Sequence, residues 1–99
     1  MRAKRVDSNL TDIVTAARKV GLRVFVRNDS LGDVDVQCGL LHEVWEVKAK
    51  NGRLTKLQQQ FRFEGWQIRL VRTVEDVVKA RREMAWFAET LLRTKKPAC

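Results

Sequence analysis

Glu46 and Lys48 interrupt an apolar run, Val44-Trp45-Glu46-Val47-Lys48, and upstream of them Asp33 and Asp35 alternate with Val34 and Val36. Residues two apart in a strand point to one face. Glu46 and Lys48 therefore project together, with Trp45 and Val47 opposite, and Asp33 and Asp35 share a face while Val34 and Val36 turn inward. An ordinary buried strand does not carry Glu and Lys in its middle. Carboxylates converging with an ammonium would make a divalent-cation site with a cationic helper, suited to metal-dependent cleavage of a phosphodiester. A plain charge pair on a solvated face is the competing explanation. Val44, on the same face, favours a partly enclosed pocket instead.

The elements that must hold these residues follow from the pattern of the chain. Asp7-Ser8-Asn9 supplies helix-start chemistry, and Leu10, Ile13, Val14, Ala17 and Val20 keep helical spacing up to Gly21. Residues 22–27 alternate as a first strand, 33–38 form a second and 42–48 a third, with Gly39-Leu40-Leu41 as the turn of a hairpin. A basic loop, 49–53, leads to a helix capped by Thr55 and running to about Phe63, which Gly65 ends. Residues 66–71 read as a fourth strand. Thr73 caps a final helix with Glu75 and Asp76 in its first turn, carrying Val77, Ala80, Met84, Phe87 and Leu91 as a stripe and ending near Arg93. The order is helix, three strands, helix, strand, helix: an α/β layer fold with a small mixed sheet.

The 99 residues make one domain. No apolar run approaches the roughly 20 residues of a membrane span, and no hydrophobic signal core follows the basic start Met1-Arg2-Ala3-Lys4-Arg5, so a cytoplasmic protein is expected. Two cysteines, Cys38 and Cys99, do not make a disulfide framework, and with a single histidine they argue against zinc. Cys38 reads as a small core residue. The net charge of +8 and pI near 10.2 favour a polyanionic partner, either nucleic acid or an anionic membrane surface. Nucleic acid is the preferred reading.

Gly32-Asp33-Val34-Asp35-Val36, a strand ending Glu46-Val47-Lys48, and then Gly52-Arg53-Leu54-Thr55 with Gln58 and Phe61 together resemble the virus-type replication-repair nuclease domain (VRR-NUC) of the PD-(D/E)xK superfamily. Residues 5–9, Ile13-Val14 and Gly21, and 71–76 further resemble small stand-alone phage members. The likeness covers roughly residues 4 to 80. It implies a restriction-endonuclease-like core and a Mg²⁺- or Mn²⁺-dependent DNA endonuclease, selective for structure in the manner of a Holliday junction resolvase. It further implies a homodimer acting on branched DNA, and no small-molecule cofactor. By position, Asp35, Glu46 and the Val47 carbonyl would hold the metal, Lys48 would orient water or stabilise the scissile phosphate, and Gln58 would support the site. Asp12, on the first helix, is a further candidate ligand. Val34 departs from the family's usual Pro, Leu10 from Gln and Asp12 from Glu.

Lys50, Arg53 and Lys56, with Arg69, Arg72 and the arm residue Arg5, form the expected DNA-facing rim. Trp45 and Trp66 are expected in the core. Met84, Trp86, Phe87, Leu91 and Leu92 give the last helix enough apolar surface to cover the sheet or join a second subunit. A non-catalytic DNA-binding protein on this fold and a protein-interaction module are the rival functions.

Overall fold

The structure is a computed structural model describing residues 9–27, 29–49 and 51–92. Its order is α1 (Leu10–Lys19), β1 (Arg23–Val26), β2 (Val34–Cys38), β3 (Leu41–Val47), α2 (Lys56–Phe63), β4 (Ile68–Val71) and α3 (Val74–Leu92), the α/β arrangement expected from the sequence. The strands form one mixed sheet in the order β1-β2-β3-β4. β1 with β2 and β2 with β3 are antiparallel, and β3 with β4 is parallel, joined by the α2 crossover.

The two faces of the sheet have different jobs. Val34, Val36, Trp45, Val47 and Val71 pack with Ile13, Val14 and Ala17 of α1 and Val77, Ala80 and Met84 of α3, forming the main core. Across the sheet, Val44 and Ile68 meet Leu54, with Leu31, Phe61 and Leu70 packed against them. Register fixes this division, because Asp35 pairs with Val44 and Val34 with Trp45. A one-residue slip would turn the core of one face into the other.

The starts of α2 and α3 are capped by side chains. The Thr55 hydroxyl accepts the Gln58 N–H at 3.1 Å while the Gln58 side-chain oxygen accepts the Thr55 N–H at 3.0 Å, a reciprocal capping box. The Thr73 hydroxyl likewise accepts the Asp76 N–H, and Asp76 Oδ2 accepts the Thr73 N–H, both at 3.1 Å.

Two expectations are corrected. The α3 stripe runs Val77, Ala80, Met84, Ala88; Phe87 is 52% exposed, since the fourth step falls on Ala88, four residues from Met84. Trp66 is exposed because it stands just beyond α2, before β4 begins at Ile68. Cys38 is buried in the main core, as expected, and is disulfide-bonded. The side chains of Leu91 and Leu92 lie outside the described part. Among the described residues no helix is long and apolar enough to cross a membrane.

Met84→Ala should cost roughly 2–5 kcal/mol of stability by opening a cavity between α3 and the sheet, whereas Phe87→Ala should change stability by about 0.5 kcal/mol or less. Urea denaturation of the two variants checks this, and a larger loss at Phe87 would contradict the packing.

Candidate functional site

Glu46 is 1% exposed, on the α2 face of the central strand β3. Burying a carboxylate is costly unless opposite charge and hydrogen bonds accompany it. Lys48, two residues on and on the same face, brings its Nζ to 3.1 Å from Glu46 Oε2 while remaining 29% exposed. The pair therefore joins a buried carboxylate to an ammonium that solvent can reach.

The backbone around this pair is held by side chains. Val47 N–H donates to Asp33 Oδ2 at 2.7 Å, and Asp33 N–H donates to the Trp45 carbonyl at 2.9 Å. Asp33 is buried and takes over the β2 side of β3 just where the regular β2 ladder, which begins at Val34, has ended. The only sequence signal for this role of Asp33 is its spacing from Asp35. On the other edge, Lys48 N–H donates to the Val71 carbonyl, and the Asn9 amide donates to the Arg72 carbonyl at 2.9 Å and the Lys48 carbonyl at 3.3 Å. Asn9 thereby ties the start of α1 to the ends of β3 and β4.

Two glycines allow close approach. A Cβ at Gly52 would sit 2.4 Å from the Lys48 Cβ, so the 51–53 loop rests directly on the Lys48 stem. Arg72 Nη2 holds that loop by donating to the Gly52 carbonyl at 2.8 Å. A Cβ at Gly32 would sit 2.2 Å from Val44 Cγ1, so the segment entering β2 presses on the strand beside Glu46. Gln58, 1% exposed, joins this segment to α2, its Nε2 reaching the Leu31 carbonyl at 3.4 Å while its oxygen serves the capping box. It supports the site by holding backbone.

Asp35 lies on the Val44 face, and Glu46 is its diagonal neighbour across the β2–β3 pair. Arg27 Nη1 donates to Asp35 Oδ1 at 2.7 Å, and the exposed His42 Nε2 lies 3.2 Å from the same oxygen. Arg27 also forks onto Asp29, which holds the Asp29 carboxyl below the usual range. Among the described residues, no three Asp, Glu, His or Cys side chains gather as a metal cluster. Asp12 is exposed in the first turn of α1, a helix packed on the opposite face, and does not join Asp35 and Glu46 in such a group.

The basic rim divides. Arg53 and Lys56 are exposed at the start of α2, beside the Lys48 loop. Arg72 is a loop clip. Arg69 leaves the rim altogether: it pairs with Trp45 in register and so lies on the α3 face. There it bonds both Glu43 oxygens at 2.8 and 3.0 Å and Glu83 at 2.7 Å. These carboxylates raise the Arg69 pKa, and Arg69 holds Glu83 below the usual glutamate range. The alternation of β4 alone could have assigned this, since Ile68 and Leu70 face α2. Lys50 and Arg5 lie outside the described residues.

Removing Lys48 while keeping Glu46 should leave an under-compensated buried charge. Lys48→Met is expected to cost roughly 1–3 kcal/mol, and adding Glu46→Gln to recover most of it. Urea denaturation of both singles and the double reads this, and strictly additive losses would contradict the pairing. Compared with known proteins, the chain matches no family model, no curated protein and no solved structure.

Proposed function

We propose that this chain is a divalent-metal-dependent DNA endonuclease of VRR-NUC type, hydrolysing phosphodiester bonds and selective for branched DNA such as a Holliday junction. The observation that carries the reading is a carboxylate buried on a central strand with a solvent-reachable lysine two residues on, 3.1 Å away. Such a pair costs stability in a structural role and pays for itself at a site of charge chemistry. The resemblance of residues 32–61 to that family supplies the reaction class, and the net charge of +8 the polyanionic substrate.

The donors suit Mg²⁺ or Mn²⁺. Asp35 and Glu46 offer hard carboxylate oxygens from adjacent strands on one face, and Mg²⁺ is usually bound by one or two carboxylates completed by water and substrate phosphate. The bound metal would polarise a phosphoryl oxygen and make water a better nucleophile. Each carboxylate now has a cationic neighbour, Arg27 for Asp35 and Lys48 for Glu46. On metal and substrate binding these cations would turn to the phosphate, Lys48 stabilising its developing charge or orienting the attacking water. Asp33, by fixing the Val47 N–H, holds the backbone next to the Val47 carbonyl, the further expected donor. Arg53 and Lys56 would contact flanking phosphates. The protein would act in the cytoplasm, and the exposed Trp86 and Phe87, whose rings meet edge to face at 5.0 Å, offer surface for a second copy.

One observation favours a second reading, a DNA-binding protein without catalysis: Asp35 is engaged by Arg27 and His42. Incubating labelled four-way, flap and linear duplex DNA with Mg²⁺, Mn²⁺ or EDTA separates the two. Wild type should cleave the four-way junction in Mg²⁺ or Mn²⁺ and nothing in EDTA. Asp35→Asn, Glu46→Gln and Lys48→Met should each lose roughly a hundredfold or more in rate. Cleavage surviving EDTA or Glu46→Gln would overturn the mechanism, and binding without cleavage would establish the second reading.

A further inference from the structure

Trp66 was expected in the core, yet it is 51% exposed and lines a cavity of about 310 Å³ on the same face of the sheet as Glu46. The helix end explains why it stands there. Gly65 N–H donates to the Arg62 carbonyl and Trp66 N–H to the Phe61 carbonyl, with Gly65 at φ +107°, the hydrogen-bond pair of a Schellman motif. The apolar contact that accompanies such an end is present too, as Phe61 and Trp66 meet at 6.4 Å and 66°. A leucine would satisfy that contact. The exposed part of the indole is not needed to end the helix.

The cavity is lined by His42, Val44, Glu64, Gly65, Trp66 and Gln67. Its apolar wall is the buried Val44, two residues before Glu46 on the same strand face. Nothing lies within 4 Å of where a Gly65 Cβ would be, so this side of the indole's approach is open. The polar wall can pair with the edge of a heterocycle: Gln67 has an amide, His42 a second ring nitrogen besides the Nε2 that lies 3.2 Å from Asp35, and Glu64 a carboxylate steadied by Gln60 Nε2 at 3.1 Å. Arg62, exposed on the last turn of α2, supplies positive charge beside Gln67. At about 310 Å³ the space is at the small end for ligand sites, the size for one flat ring system.

We propose that this cleft takes one unpaired nucleobase of a DNA strand, stacked on Trp66 and hydrogen-bonded by Gln67, Glu64 and His42. The strand's backbone then passes Asp35 and Glu46, so the proposal rests on the DNA reading and names the feature that would be selected, an extruded or single-stranded base. Stacking tolerates any base, and the polar wall adds preference for those with an exocyclic amine, which Glu64 can accept from.

The test is run in EDTA, so that it reads binding without cleavage. Fluorescence anisotropy compares a labelled duplex carrying one unpaired base with the fully paired duplex of equal length. Wild type should bind the unpaired substrate more tightly by roughly five- to a hundredfold, the worth of one stacked base. Trp66→Leu, which keeps the Phe61 contact, should lose that preference while binding the paired duplex unchanged. Trp66→Phe should keep most of it. A second measurement needs no variant: photocrosslinking wild type to 5-iodouracil at the unpaired position should mark Trp66. No preference in wild type, preference retained in Trp66→Leu, or crosslinking elsewhere would overturn the cleft. Preference lost in Trp66→Leu alongside no cleavage of any substrate would uphold the cleft and sink the catalytic reading. Cleavage without preference would do the reverse.

Discussion

The burial of the Glu46 carboxylate governs the arrangement. Glu46 sits on β3, a strand paired on both sides, at 1% exposure, and a carboxylate there must be balanced within a few ångströms. Lys48 helps to meet that demand, but a lysine has a long flexible stem and holds a position only when its surroundings limit it. The loop supplies the limit: Gly52 lies against the Lys48 stem, Arg72 anchors the Gly52 carbonyl, and Asp76 accepts the Arg72 N–H at 2.8 Å. The position of a single ammonium is thus linked through the loop to the first turn of α3.

The same logic applies on the β2 side. Asp33 caps the Val47 N–H with a side chain where a strand would have offered a backbone carbonyl, and Gly32 lets that segment approach Val44. Gln58 ties the segment to α2 through the Leu31 carbonyl. These contacts concern backbone more than reacting atoms. They separate the positioning of Glu46 from the chemistry its carboxylate would perform. Asp35 differs in kind: it is partly exposed, shares its oxygen between Arg27 and His42, and could change partners without disturbing the sheet.

Much of this was legible in the sequence. Period-two alternation placed Glu46 and Lys48 on one face and Trp45 and Val47 on the other, and Thr55 marked the start of α2. What was not legible depended on exact phase or on long-range partners. The α3 stripe drifted by one residue, from Phe87 to Ala88, because spacings of three and four are equally helical. For Arg69 the alternation of β4 already excluded the rim; what stayed hidden was its carboxylate partners, Glu43 and Glu83, 26 and 14 residues away. Trp66 looked like core by residue type, yet the helix end that exposes it is set by Gly65, a signal that was present and read only as a stop.

The central claim is that Asp35 and Glu46 together hold a divalent cation beside Lys48, and Mn²⁺ titration of the ¹⁵N-labelled protein addresses it without requiring any substrate. Paramagnetic broadening of amide resonances should appear first at Asp35, Glu46 and Val47 and should vanish in Glu46→Gln. Broadening confined to other acidic positions, such as Glu75 and Asp76 at the start of α3, or unchanged in Glu46→Gln, would contradict the account.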